Sequence, residues 1–333
     1  MAKTKKFIND SKLIAEDMIS GYVSAARHYV KRLGKYHVLV SNELLKEKVG
    51  IIIGGGIAAE PLFLGYVGKN MADCAVIGNI DAAPSPDSIL EGVRAVNQGK
   101  GILFVYNNYP GDVLCFDMAA EMALDEGIET YTVRVWDEVG SIPSERANER
   151  RGVAGALLVI KIAGGAASVL SDLEEVYRVA VSARDNTRTL IVTSKSGSYL
   201  GNGELMFDLP DDEIEYGVGF HGEPGYLRTK MLPSDKIVDL VIDKLVDDLN
   251  CKSGDEVAIM LNSMGSTSIA ELFILNKRIS ERLPEKGIFL YNTDVGFYYN
   301  SQDMGGFSLS LLKLNPELKK YYDLPAASFS YRK

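Results

Sequence analysis

Val49-Gly50-Ile51-Ile52-Ile53-Gly54-Gly55-Gly56-Ile57-Ala58-Ala59-Glu60-Pro61 is the stretch on which the fold turns. An apolar run, read as a strand over 49–53, ends in three glycines. The spacing fits G-x-G-x-x-A, so a dinucleotide-binding loop has to be weighed. Pro61 counts against it. Such a loop runs straight into a helix, and Pro61 would fall in the second turn of that helix. There it removes an amide donor and clashes with the preceding turn. Two readings stay open on these residues: a plain tight turn, and a loop that lets a ligand approach bare backbone.

Outward from this stretch, short β-rich runs alternate with longer helical patterns. Further strands are predicted over 75–77, 102–106, 130–136, 189–193, 257–261 and 288–291. Helices are predicted over 11–31, 85–97, 117–125, 173–182, 236–248 and 266–281. The alternation implies an α/β protein with parallel or mixed sheets flanked by helices. Residues 307–314 begin with clean alternation and read as a late, half-exposed strand. Residues 193–203 are rich in serine and glycine and read as a loop. The polar segment just before it, 183–189, marks a junction between two α/β domains, 1–185 and 186–333.

At 333 residues, two domains are the expectation. Hydrophobic residues make up 46% and charged residues 24%, the balance of a globular chain rather than a disordered one. The net charge of −9 argues against a broad surface for nucleic acid or anionic lipid, since phosphate binding needs a positive field. No apolar run approaches the ~18 residues that span a bilayer. The basic start is followed by Asn9, Asp10 and Ser11 rather than an apolar segment, so no signal peptide and a cytoplasmic location are expected. Cys74, Cys115 and Cys251 are scattered, which excludes a disulfide framework and the usual zinc spacings. Neither a metal nor a cofactor is expected. Imidazole chemistry is limited to His28, His37 and His221.

Two further segments could carry chemistry. Asn107-Asn108-Tyr109-Pro110-Gly111-Asp112 follows the 102–106 strand, at the edge where open α/β sheets bind ligands. Asp112 reads as a general base for a substrate hydroxyl, or as a turn residue or cap for the 117–125 helix, the more ordinary use. Residues 217–225 read Gly-Val-Gly-Phe-His-Gly-Glu-Pro-Gly, with His221 among four glycines and a proline. No periodic apolar face surrounds it, so a packed core role fits poorly. Glycines there let a ligand reach imidazole and backbone together. For His28 and His37 a surface or core-edge role is expected. No G-x-x-x-x-G-K-[ST] occurs, so no Walker-type site is expected.

These segments together resemble the dihydroxyacetone kinase family, specifically its dihydroxyacetone-binding subunit. The family's G-G-G-S-G-H-E-P reads here as Gly54 to Pro61. Its K-N-Y-x-G-D reads as Asn107 to Asp112, and its G-x-G-I-H-G-E-P-G as Gly217 to Gly225 with Phe220 for Ile. Arg150 to Ala154, Asn262 to Thr267 and Asp303 to Ser308 follow in family order. The resemblance implies two α/β domains of the DhaK fold and a homodimer. It implies that His221 attacks the ketone carbon of dihydroxyacetone to form a covalent hemiaminal. The backbone at Gly55 and Gly56 and the Asp112 carboxylate would bind the substrate hydroxyls, Asp112 standing at the general-base position. The phosphoryl donor would sit on a separate subunit or on an appended domain, in keeping with the missing Walker-type motif.

Three departures stand against these matches. Ala59 replaces the family's histidine, and Asn107 replaces its lysine. The Phe-x-Ser-Pro turn reads Asp81-Ala82-Ala83-Pro84, which loses an aromatic wall and adds a carboxylate. Losing a cation and gaining an anion both oppose a phosphoanhydride, and one lost acid or base group costs about 10²–10⁴ in rate. The pattern reads as ligand capture retained and phosphoryl transfer eroded. Two readings follow. The first is a non-catalytic sensor like the paralogue DhaQ, coactivator of a TetR-type transcription factor (DhaS-like) that controls the kinase operon. The second is a working kinase subunit.

Overall fold

The computed structural model describes residues 3–34 and 36–333. The chain divides into two compact units that interleave along the sequence. One holds Ile8–Val135, Ala156–Asp185 and Pro316–Lys333, and carries the glycine tract and Asp112. The other gathers the N-terminal residues up to Phe7, Trp136–Gly155 and Asn186–Asn315, and carries His221.

In the glycine-tract unit the strands are β1 (Val30–Leu33), β2 (Val38–Ser41), β3 (Gly50–Ile57), β4 (Gly68–Lys69), β5 (Cys74–Ile80), β6 (Ile102–Asn107) and β7 (Thr130–Val135). Six of them form one mixed sheet in the order β1-β2-β5-β3-β6-β7. β5, β3, β6 and β7 run parallel, while β1 and β2 close one side antiparallel. The helices are α1 (Ile14–Ala25), α2 (Pro86–Val96), α3 (Pro110–Asp125), α4 (Ala156–Ala167) and α5 (Leu173–Asp185). Ser85 caps α2 by accepting from Ser88 N, and Pro86 follows at its first helical position, where proline's fixed φ suits a helix.

In the His221 unit β8 (Thr187–Lys195), β9 (Glu213–Tyr216), β10 (Leu227–Lys230), β11 (Glu256–Ser263), β12 (Phe289–Gly296) and β13 (Gly305–Leu314) form a second mixed sheet. Its order is β10-β9-β8-β13-β11-β12, antiparallel except for β11 with β12. α6 (Ser234–Asp248) and α7 (Ile269–Glu285) cover it, sharing a core of Ile237, Val241, Leu245, Leu272 and Ile279 with Ile259 and Leu309 of the sheet. α8 (Pro316–Tyr322) and β14 (Ala327–Ser328) belong to the glycine-tract unit, where β14 pairs with β4.

Two α/β units with mixed sheets agree with the expected fold class. The expected division into 1–185 and 186–333 needs correction, because neither unit is continuous. The chain does pass between units at 185/186, but also at 135/136 and 155/156. Backbone pairing is the reason. Val139 N donates to Thr189 O and Thr189 N to Asp137 O, which ties 136–155 to β8. The C-terminal piece packs on α4, where a Cβ at Gly165 would stand 2.6 Å from Tyr321 O.

Other expectations shift as well. The predicted 11–31 helix stops at Ala25, and Val30 already pairs with Ser41 in a hairpin. α3 starts at Pro110 rather than 117. The strand predicted as half-exposed, β13, is buried along nearly its whole length; it is an interior strand between β8 and β11, and its serines bond to Thr189 and Asn262 within the unit. No sequence pattern predicts α4. Every residue of it is buried, so it lacks the polar face that makes a helix legible.

Candidate functional site

Three parallel strands of the glycine-tract unit, β3, β5 and β6, end on the same edge of the sheet, at Ile57, Ile80 and Asn107. Gly54, Gly55 and Gly56 are the last part of β3, not a turn ahead of a helix. Packing demands glycine at each. A Cβ on Gly54 would lie 2.4 Å from Val76 O, on Gly55 2.5 Å from the Phe63 ring, and on Gly56 2.9 Å from Ala82 N. The tract therefore brings the strand backbone against the 81–84 loop. Beyond it Ala58 has φ +98°, and its N–H donates to Glu60 Oε1 at 3.0 Å. Burial pushes the Glu60 carboxyl up, and the Asp81 charge adds to it. Ala59 is half-buried.

β6 delivers Asn107, which is buried, and Asn108 N donates to Val135 O at 2.9 Å. Tyr109 then occupies the cap position of α3 without a side-chain cap bond, and Pro110 opens the helix. Asp112 is thus inside the first turn, half-buried, and not the cap that its sequence context allowed. A carboxylate there is favoured by the helix dipole. A Cβ on Gly111 would touch Ala83 at 3.7 Å, and Ala82 packs on Gly56. Gly55, Gly56 and Asp112 are therefore brought to one sheet edge.

His221 belongs to the other unit. Residues 217–226 join β9 to β10, and Leu227 pairs with Tyr216 at the base of this hairpin. Gly217 and Gly222 hold φ of +81° and +85°, which a side chain resists. Between them the chain folds back, with Gly222 N donating to Gly219 O at 3.1 Å and Gly219 N to Glu223 O at 2.9 Å. The His221 side chain is 38% exposed. Glu223 braces it twice. Oε2 accepts from His221 N at 2.9 Å, and Oε1 lies 3.4 Å from Nδ1. Burial alone would push the Glu223 carboxyl up. The hydrogen bonds from His221 and its own backbone, with the charges of His221 and Arg151, outweigh burial and hold it at about 2.

The floor beneath the loop explains segments that carried the family resemblance without an assigned role. Asn262 is fully buried and fully bonded. It donates to Tyr299 O and Ser308 Oγ, and accepts from Tyr298 N and Tyr299 N. Tyr299 so fixed stacks on Phe220, ring centroids 3.5 Å apart, and Ser301 Oγ donates to Phe220 O. Asp303 accepts from both Ser198 N and Ser198 Oγ at 2.8 Å. Arg150 is buried on Asp248 and donates to Ile142 O at 2.7 Å. Glu223 lies within 217–225, and its place two residues after His221 is the sequence signal for it. Tyr299 and Ser301 give none. His28 is exposed, in the turn after α1, and His37 meets Glu16 at 3.4 Å.

Among the described residues, no three His, Cys, Asp or Glu side chains are grouped to hold a metal ion, and no helix is long and apolar enough to cross a membrane.

The model of the Dak1 domain matches residues 20–330. The dihydroxyacetone-binding subunit DhaK of PTS-dependent dihydroxyacetone kinase 2 from Listeria innocua is 42% identical over 323 residues, covering 96% of this chain and 97% of that protein. The corresponding subunit from Lactococcus lactis is 34% identical over 313 residues, 94% of each. A solved structure described as the dihydroxyacetone kinase operon co-activator Dha-DhaQ matches with TM-score 0.88 and 30% identity, covering 95% of this chain and 97% of that one.

Proposed function

We infer the function from one premise: this chain belongs to the Dak1 domain family. The proposed activity is covalent capture of dihydroxyacetone at His221, with ligand binding rather than phosphoryl transfer as the output. The bracing of His221 by Glu223 carries the reading. With the Nδ1 proton held toward that carboxylate, Nε2 keeps its lone pair and is the nucleophile. Nε2 forms a bond to the ketone carbon, and the carbonyl π pair moves to oxygen, which takes up a proton. The Nδ1 proton leaves to Glu223 or solvent, so the hemiaminal is neutral. Glycerol has no carbonyl and is not captured. The amides at Gly55 and Gly56 and the Asp112 carboxylate are proposed to bind the ligand hydroxyls.

Phosphoryl transfer is proposed to be weak or lost. Ala59 offers no acid or base, Asn107 is a buried neutral amide, and Asp81 adds an anion beside the same loop. Binding then acts by changing a partner's affinity between two states. The proposed partner is a TetR-type (DhaS-like) transcription factor, through which DNA is reached. The likeness to the co-activator structure supports this. A homodimer in the cytoplasm completes the reading.

A working kinase subunit is the second reading, favoured by the 42% identity to a kinase subunit and by Asp112. Purified protein with phosphocarrier and nucleotide-bearing partner subunits decides between them. The expected result is no appreciable dihydroxyacetone phosphate, with partial rescue by Ala59→His with Asn107→Lys. Robust turnover of the parent would restore the kinase reading. Sizing with the TetR-type protein should show a complex that depends on dihydroxyacetone, and light scattering should give a dimer.

A further inference from the structure

We propose that Arg151, seated on the buried Glu138, is the positioning residue that orients the His221 imidazole through Glu223. The inference deepens the capture reading and rests on it. Arg151 Nη2 donates to Gly217 O at 2.7 Å, at the base of the His221 loop. The same nitrogen lies 3.2 Å from Glu138 Oε2, and the Glu138 side chain is fully buried. Glu138 Oε1 accepts from Gly140 N at 3.0 Å. Gly140 presses on the loop base in turn, since a Cβ there would stand 2.8 Å from Gly217 Cα.

At Gly219 the two chains of contact meet. A Cβ on Gly219 would fall 2.1 Å from Glu223 Oε2 and 2.9 Å from Arg151 Nη1. Arg151 and Glu223 therefore converge over one glycine, and the guanidinium adds the smallest of the influences that lower a carboxyl which the His221 hydrogen bond lowers most. By holding Glu223 where its Oε1 lies 3.4 Å from Nδ1, Arg151 favours the Nδ1–H tautomer, in which Nε2 carries the lone pair. A guanidinium suits the task because one rigid, charged group serves a carbonyl and a carboxylate through Nη2 while its Nη1 lies over Gly219 beside Glu223. Glu138 anchors that fork, and the groups that face it are Arg151, the buried Asp137 and Tyr226. A strut that merely stiffened the hairpin would have no effect on which ring nitrogen carries the proton. That separates the two roles.

The experiment reads ¹⁵N chemical shifts of the imidazole in the full-length protein, alongside calorimetry with dihydroxyacetone. Parent, Arg151→Met, Arg151→Lys and His221→Ala are compared. The parent should show the Nδ1–H tautomer of His221, assigned by its loss in His221→Ala. Arg151→Met should shift the tautomer toward Nε2–H and weaken capture about 10–100-fold, by analogy with the loss of a group that orients a metal-binding histidine. Arg151→Lys should recover part of both, and thermal melts confirm that each variant is folded. Parent-like tautomer and affinity in Arg151→Met would overturn the inference, as would a tautomer change in Arg151→Lys as large as in Arg151→Met. If the parent binds no dihydroxyacetone, the capture reading fails, while the tautomer comparison still decides the role of Arg151.

Discussion

Ala58 holds φ at +98°, a backbone region that an L side chain resists, at the position where the family pattern places glycine. Ala58→Gly relieves that strain. It should raise the unfolding free energy by about 1 kcal/mol, read from denaturant midpoints. Gly222 poses the opposite case. Its φ is +85°, and a Cβ would lie 3.0 Å from Met206 Cβ. Gly222→Ala should loosen the loop around His221 and weaken dihydroxyacetone binding in calorimetry, while far-UV circular dichroism keeps the parent spectrum. Unchanged affinity would mean that the loop tolerates another path. The glycines around His221 thus serve the fold of the loop first, and presentation of the imidazole follows from it.

At the scale of elements, local signals and burial pull apart. α7 announces itself: Ser268 accepts from Glu271 N, and Glu271 Oε2 accepts from Ser268 N at 2.9 Å, a reciprocal capping box. Ser268→Ala should cost about 1 kcal/mol in thermal or denaturant unfolding, with ligand binding unaffected. β13 was legible as a strand, yet its exposure was not. Ser308 and Ser310 alternate with apolar residues as in a half-solvated strand, but they are fully buried. Ser310 Oγ pairs with Thr189 Oγ at 2.7 Å, and Ser308 Oγ accepts from Asn262. Serine reads as solvent-facing in sequence, and only the partner strands supply the hydroxyl and amide that let these serines stay inside.

Across the whole molecule, buried ionisable groups set how stability follows pH. Burial pushes Glu138 up from 4.5 to about 7, against the opposing charge of Arg151. Between those values the folded chain holds a proton that the unfolded chain has lost. The unfolding free energy therefore falls as pH rises through this window, by about 3 kcal/mol in all. Denaturant unfolding of Glu138→Gln should gain on the parent from pH 4.5 to 7, and a constant gap would refute the assignment. Lys161 on α4 has the opposite sign. Burial lowers it from 10.5 to about 8, where its ammonium donates to Tyr321 O at 2.9 Å. The unfolded chain then binds the extra proton, so its contribution to stability rises from pH 8 to 10.5.

The sequence by itself determined the α/β class, most strands of both sheets, and the three segments that hold Gly55 and Gly56, Asp112 and His221. Those signals are local: apolar runs, glycines and caps act within a few residues of themselves. The tertiary structure decided where the chain changes units, because Thr189 pairs with Asp137 and Val139 across a sequence gap that no local pattern reports. It also decided that α4 exists as an all-buried helix, and that Asn262, Tyr299, Arg151 and Glu138 stand under the His221 loop. Buried hydrogen bonds and ion pairs are satisfied by whichever residue the fold brings near, and that proximity is a property of the packed chain.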